Sequence, residues 1–191
     1  MSAPTGQRPL MISGQPYFAS DPDLIAWRRS AQSLLHRFNA LTPSEGEEAQ
    51  IILRELLGCL GDSVQIMPPF RCDYGDYIAI GPRTFINYDC IVLDCAPVTI
   101  GADVQIAPRV QIVTAEHPLD VERRRSGVES ARPVAIGDAV WLGAGVIICP
   151  GVTIGAGTVV GAGSVVTRDL PPGVVAVGTP CRPIRDIPPP A

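Results

Sequence analysis

Six apolar residues, Ile136, Leu142, Ile148, Ile154, Val160 and Val166, recur at intervals of six, and this period constrains the fold more than any other feature of the chain. The residues that follow them are Gly137, Gly143, Cys149, Gly155, Gly161 and Thr167. Two positions ahead stands a second column: Val134, Val140, Val146, Val152, Thr158 and Ser164. An α-helix cannot use such a period, because six residues turn it by about 600° and the column would drift around its surface. A coil with three short faces can use it. Each column residue then falls on the next face, and about eighteen residues complete one turn. Stacked coils bury what no single coil can bury, with small residues at the corners. The product is a rigid rod, so chemistry is expected where the repeat breaks.

The repeat extends backwards. Ile100, Ile106 and Ile112 form a second run, with Val98, Val104 and Val110 ahead of them, and Ile80, Ile86 and Val92 form a third. Between Val92 and Ile100 the spacing is eight, which places two inserted residues near Asp94–Ala96. Between Ile112 and Ile136 it is twenty-four, and residues 114–132 carry no apolar column. That stretch holds His117, Pro118, Glu122, Arg123–Arg125, Gly127 and Glu129, and reads as a loop thrown out from the coil. A loop of this length in a compact domain is usually functional or disordered.

The chain divides into an N-terminal helical segment (1–60), a coil (61–170) that includes the 114–132 loop, and a Pro-rich tail (171–191). Asp21 or Ser20 can cap a helix that Pro22 opens, and Leu24, Trp27, Ala31, Leu34, Leu35 and Phe38 follow at helical spacing. Residues 39–43 break it; a second helix opens at Ser44 and closes near Gly58. His36 reads as an ordinary helix residue. Past residue 166 the prolines end the regular coil and predict an extended terminus.

Composition narrows the function. With 46% hydrophobic residues the chain has ample core material. A net charge of −4 gives no electrostatic footprint for nucleic acid. The basic triplet Arg123–Arg125 is flanked by Glu122 and Glu129 and reads as a solvated loop face. No apolar run approaches the ~20 residues of a membrane span, and Met1–Leu10 has no apolar core of a signal peptide. The six cysteines form no CxxC pair, and His36 and His117 are the two histidines, so no metal site is expected. Free thiols fit a reducing cytoplasm.

Several residues could carry chemistry. His117 begins the loop, where a rigid scaffold meets an excursion, and a neutral imidazole is the commonest general base. Asn87 directly follows a column residue; it either satisfies coil backbone groups or offers its amide to an oxyanion. Asp94 sits at the two-residue irregularity, suited to a turn or to hydroxyl binding. Trp141 precedes Leu142 and so points away from the column, as an interface anchor or a ligand wall.

These residues also carry a resemblance. The runs FRCDYG (70–75), INYDCIVLD (86–94), TAEHP (114–118), RPVAIGDAVWLGAGVIICPGVTIG (132–155) and VVGAGSVVTRDLPPGVVAVGTPCR (159–182) resemble the maltose and galactoside O-acetyltransferases of the hexapeptide-repeat class, as does GQPYFASDPDL (14–24). The resemblance implies a mainly β fold, a left-handed parallel β-helix, and a homotrimer whose loops enclose sites on neighbouring chains. It implies acetyl-CoA as donor and a sugar hydroxyl as acceptor, with no metal. By position, His117 would be the base, Asn87 would orient the acceptor and support the tetrahedral intermediate, and Asp73 and Asp94 would lie near the sugar. Trp141, Ala144, Ala162, Thr167, Arg168, Arg182 and Arg185 would line the CoA groove, where arginines suit its phosphates.

The chain departs from galactoside enzymes at three places. Phe85 stands where they tend to show tyrosine, Cys95 where they show a second aspartate, and Ala19 where they are acidic. Each change removes a polar partner for the sugar, which points to a maltose- or glucose-type acceptor. A different hydroxyl acceptor, such as serine, an antibiotic or a lipo-oligosaccharide, is the competing enzyme reading. A zinc hydratase on the same coil would need several histidines, and a non-catalytic scaffold would have no reason to hold His117 and Asn87 at coil breaks.

Overall fold

A computed structural model describes residues 6–188 of the chain. Residues 1–5 and 189–191, the ends of the N-terminal segment and the Pro-rich tail, lie outside the described residues. From residue 59 onward the chain winds as a parallel β solenoid with three faces. The first face stacks Cys59–Leu60, Ile78–Ile80, Val98–Ile100, Val134–Ile136 and Thr153–Ile154. The second stacks Gln65–Ile66, Phe85–Ile86, Gln105–Ile106, Trp141–Leu142, Val159–Val160 and Val174–Gly178. The third stacks Phe70–Cys72, Cys90–Leu93, Gln111–Val113, Ile147–Ile148 and Val165–Val166.

The period-six columns are the vertical stacks. Ile80, Ile100, Ile136 and Ile154 lie in register on the first face. Ile66, Ile86, Ile106, Leu142, Val160 and Ala176 do so on the second, and Cys72, Val92, Ile112, Ile148 and Val166 on the third. All of these are buried, as are the valines of the second column. Its two polar members are buried too, and each is satisfied: Thr158 Oγ1 donates to Pro171 O at 2.7 Å and Ser164 Oγ to Gly161 O at 2.6 Å. Buried hydroxyls without such partners would be costly.

Three helices precede the coil: α1 (Gln7–Ile12), α2 (Pro22–Asn39) and α3 (Gly46–Leu56). In α2, Asp21 accepts the Asp23 N–H at 3.0 Å and Pro22 opens the first turn, as the sequence predicts. The second helix begins two residues later than Ser44, because Glu45 turns back to accept both the Thr42 N–H and its hydroxyl. Helix α1 has no counterpart in the sequence reading. Its six residues are too few to show a helical stripe, and burial of Met11 against Tyr17 and Leu24 holds it in place.

The coil also outlasts the expected break at the prolines. Leu170 bridges to Ile154, Val174–Gly178 pairs in parallel with Val159–Val160, and Cys181–Asp186 folds back antiparallel on it. Pro171 and Pro172 occupy a corner, where a missing N–H breaks no ladder.

The 114–132 stretch leaves the edge between the third and first faces. It is an ordered excursion: Ala115–Glu116 and Val128–Ala131 pair antiparallel, with a short helix α4 (Val121–Arg125) between them. Tyr17–Phe18 adds a third strand beside Val128–Ala131. The N-terminal segment is therefore tied directly to the excursion.

Candidate active site

The candidate residues fall on two different edges of the coil. At the edge between the third and first faces, where the excursion leaves, lie Asp73, Asp94 and the stem of the His117 loop; Thr167 and Arg168 follow the uppermost strand there. At the edge between the second and third faces lie Asn87, Ala144 and Ala162. Trp141 is on the outer side of the second face, half exposed, and Arg182 and Arg185 are on its last strand. The third face separates the two edges. At ~3.3 Å per residue, the four residues of Cys90–Leu93 span about 13 Å.

The excursion edge holds a buried polar cluster. Asp94 has no exposed surface, and its Oδ1 accepts the backbone N–H of Asp73 at 3.0 Å and of Tyr74 at 2.9 Å. Its Oδ2 is buried without a hydrogen-bond partner among the described residues. Burial pushes this carboxyl up to about 6, against the opposing pull of the backbone donors. The Asp73 carboxylate is half-buried. Its Oδ2 accepts from Cys95 Sγ at 3.5 Å, and Oδ1 lies 3.7 Å from Arg28 Nε. Burial raises Asp73 as well, while the Arg28 charge pulls the other way.

Sequence reasoning missed several members of this cluster. Arg28 projects from α2 and donates to the Tyr74 hydroxyl at 2.8 Å. Trp27 stacks on Tyr74 with centroids 4.3 Å apart and donates to Asp76 at 2.7 Å. Tyr17 is fully buried and donates to Glu129 Oε2 at 3.1 Å. The available signal was proximity in sequence: Arg28 adjoins Trp27, and Tyr74 adjoins Asp73 within FRCDYG. An apolar stripe marks only the core side of α2 and passes over Arg28. Cys95 packs beside this cluster, and burial pushes its thiol up to about 12, so it is held neutral.

His117 directly follows the Ala115–Glu116 strand and is exposed. On the other edge, Asn87 Oδ1 accepts the Tyr88 N–H at 2.8 Å. That bond orients the amide and leaves Nδ2 without a partner among the described residues. Asn87, Phe85, Gln105, Ala107 and Trp141 line a shallow cavity of about 140 Å³. Above it the edge is made of small residues. Gly143 is required there, since a Cβ would come within 2.5 Å of the Ala162 nitrogen in the next coil. Ala144 and Ala162 are exposed along this strip.

The arrangement supplies an exposed imidazole at one edge and an amide donor with a smooth wall at the other. The chain is similar to known proteins along nearly its whole length. Residues 10–61 match the maltose acetyltransferase hexapeptide capping motif, and residues 133–168 match six repeats of the bacterial transferase hexapeptide. Nodulation protein L of Rhizobium meliloti is 49% identical, over 92% of this chain and 96% of its own length. A maltose O-acetyltransferase from Clostridium difficile is 48% identical and superposes with a TM-score of 0.95, covering 96% of this chain and 98% of the other. A galactoside acetyltransferase solved in complex with coenzyme A is 37% identical with a TM-score of 0.93, covering 97% and 92%. With the N-terminal cap and the repeat both matched and the similarity running along nearly the whole chain, this protein belongs to the hexapeptide-repeat acetyltransferases, in the family of the maltose and galactoside O-acetyltransferases.

Proposed function

We propose that the chain is a homotrimeric, cytoplasmic enzyme that moves acetyl from acetyl-CoA to a sugar hydroxyl, at sites formed between neighbouring subunits. The observation that carries this reading is the placement of His117 and Asn87 on separate edges of a rigid coil. A second copy can bring its Asn87 edge to the excursion edge of the first. Exposed Trp141, Val177 and Ile184 on the second face, and Phe18, Leu119 and Val121 around the excursion, supply apolar surface for such a contact.

In this reading His117 takes the proton from the acceptor hydroxyl as its oxygen attacks the thioester carbonyl. Asn87 Nδ2 donates to the oxyanion that forms. When the C–S bond breaks, His117 returns the proton to the departing thiolate, giving free CoA and the acetyl ester. Asp73, which Asp94 and Arg28 hold in place, faces the acceptor. The strip at Ala144 and Ala162 receives the pantetheine arm, with Trp141, Arg182 and Arg185 beside it and Thr167 and Arg168 contributed from the other edge.

Phe85, Cys95 and Ala19 offer few polar partners to a sugar, and hydroxyl discrimination depends on such partners. Broad, weak use of glucose- and maltose-type sugars is therefore expected, without marked preference for galactosides. Initial rates with acetyl-CoA across glucosides, galactosides and maltose, read as free thiol, decide this. A strong preference for thiogalactosides would contradict the acceptor assignment. In the same assay His117→Ala should lower turnover by about 10²–10⁴-fold, the usual contribution of a positioned base.

A further inference from the structure

We propose that Arg132 and Arg124 are positioning residues for His117, two guanidinium clamps that hold the Glu116 carboxylate on one side of it and the Pro118 and Leu119 carbonyls on the other. The proposal rests on His117 being the base. A base must be held to a fraction of an ångström, yet His117 sits on a long excursion, the kind of segment that is mobile by default. Something must hold it.

On the N-terminal side, Glu116 receives two bonds from Arg132, one from Nε at 2.8 Å and one from Nη2, in a bidentate fork. Arg132 stands where the chain re-enters the coil. Its N–H donates to Thr114 O at 2.9 Å, and Thr114 Oγ1 donates to Leu93 O at 2.6 Å, so the clamp is anchored in the solenoid. The guanidinium lies against Gly151, whose φ is +78°. A Cβ at Gly151 would sit 2.5 Å from Arg132 Nη1, so a side chain there would push the guanidinium away. On the C-terminal side, Arg124 Nη1 donates to Pro118 O at 2.9 Å and to Leu119 O at 3.0 Å. Residues 116, 118 and 119 are thus each held by an arginine, and residue 117 lies between them. Both clamps are solvent-exposed, and exposed ion pairs contribute little to stability. Their effect belongs to placement.

Arg132→Ala and Arg124→Ala should each lower kcat about tenfold, as expected for a displaced base. The KM for acetyl-CoA should stay within about twofold, and melting temperature and assembly should be unchanged. Arg132→Lys should recover only part of the loss, because an ammonium cannot form the fork. The deciding arm repeats both alanine substitutions in a His117→Ala background. With no imidazole to place, the residual rate should not change. An equal further loss in that background, or unaltered kcat in the wild-type background, overturns the clamps. If Arg132→Ala does not assemble, Glu116→Gln, which removes the clamped charge and keeps its shape, carries the same comparison. Normal turnover in His117→Ala alone would overturn the base assignment, and with it the object being positioned.

Discussion

Asp94 separates what a residue's position predicts from what its surroundings decide. The two-residue irregularity marks it in the sequence, but burial beneath the N-terminal segment makes it the support of the Asp73–Tyr74 turn. That burial comes from packing across the fold, which no local pattern encodes; Arg28 and Tyr17 were hidden for the same reason. His117 and Asn87 stand out in the sequence for different reasons: one lies where the apolar columns stop, the other directly after a column residue. The buried carboxyl has a measurable consequence. Its value of about 6 in the folded protein lies above the ordinary 3.8, so between those pH values the folded state keeps a proton that the unfolded chain releases. Stability from this group is complete below the lower value and is lost as pH rises through the upper one, on the order of 3 kcal/mol in all. Asp94→Asn has no such titration, and Asp73, which is also raised, titrates in both proteins. The melting temperature of Asp94→Asn relative to wild type should therefore climb between about pH 4 and pH 7. Parallel curves would show that Asp94 does not titrate with folding.

Among the elements, the coil was the most legible, because a period of six admits few other folds and its columns became the stacked core. The excursion was legible as a gap in the columns. Its antiparallel strands and its pairing with Tyr17–Phe18 were not, since strands of two to four residues carry too little alternation to read. Helix α1 and the final hairpin were missed for related reasons: one is too short, and in the other the prolines pointed to an end of regular structure where they only turn a corner. The edge above Asn87 yields a prediction of its own. Ala162→Leu places branched bulk on the strip assigned to the pantetheine arm, so the KM for acetyl-CoA should rise about tenfold while kcat with saturating donor stays near normal. An unchanged KM would move the donor groove elsewhere.

At the scale of the molecule, the coil is a spacer. It sets the edge that carries the excursion about a face-width from the Asn87 edge, so in the proposed reading a single chain offers two half-sites. Closed threefold symmetry would pair every half-site with its complement. Sedimentation should accordingly give about three times the 20.2 kDa chain mass. Mixing inactive variants tests the claim more directly. His117→Ala keeps an intact Asn87 edge, and Asn87→Ala keeps an intact excursion edge. In a mixed trimer, one of its sites joins the two intact edges. Equal amounts of the two variants, co-expressed or refolded together, should recover about a quarter of wild-type acetyl transfer, although each alone is nearly inactive. Mixed trimers that form and remain as inactive as either parent would place His117 and Asn87 in the same chain's site and contradict the account.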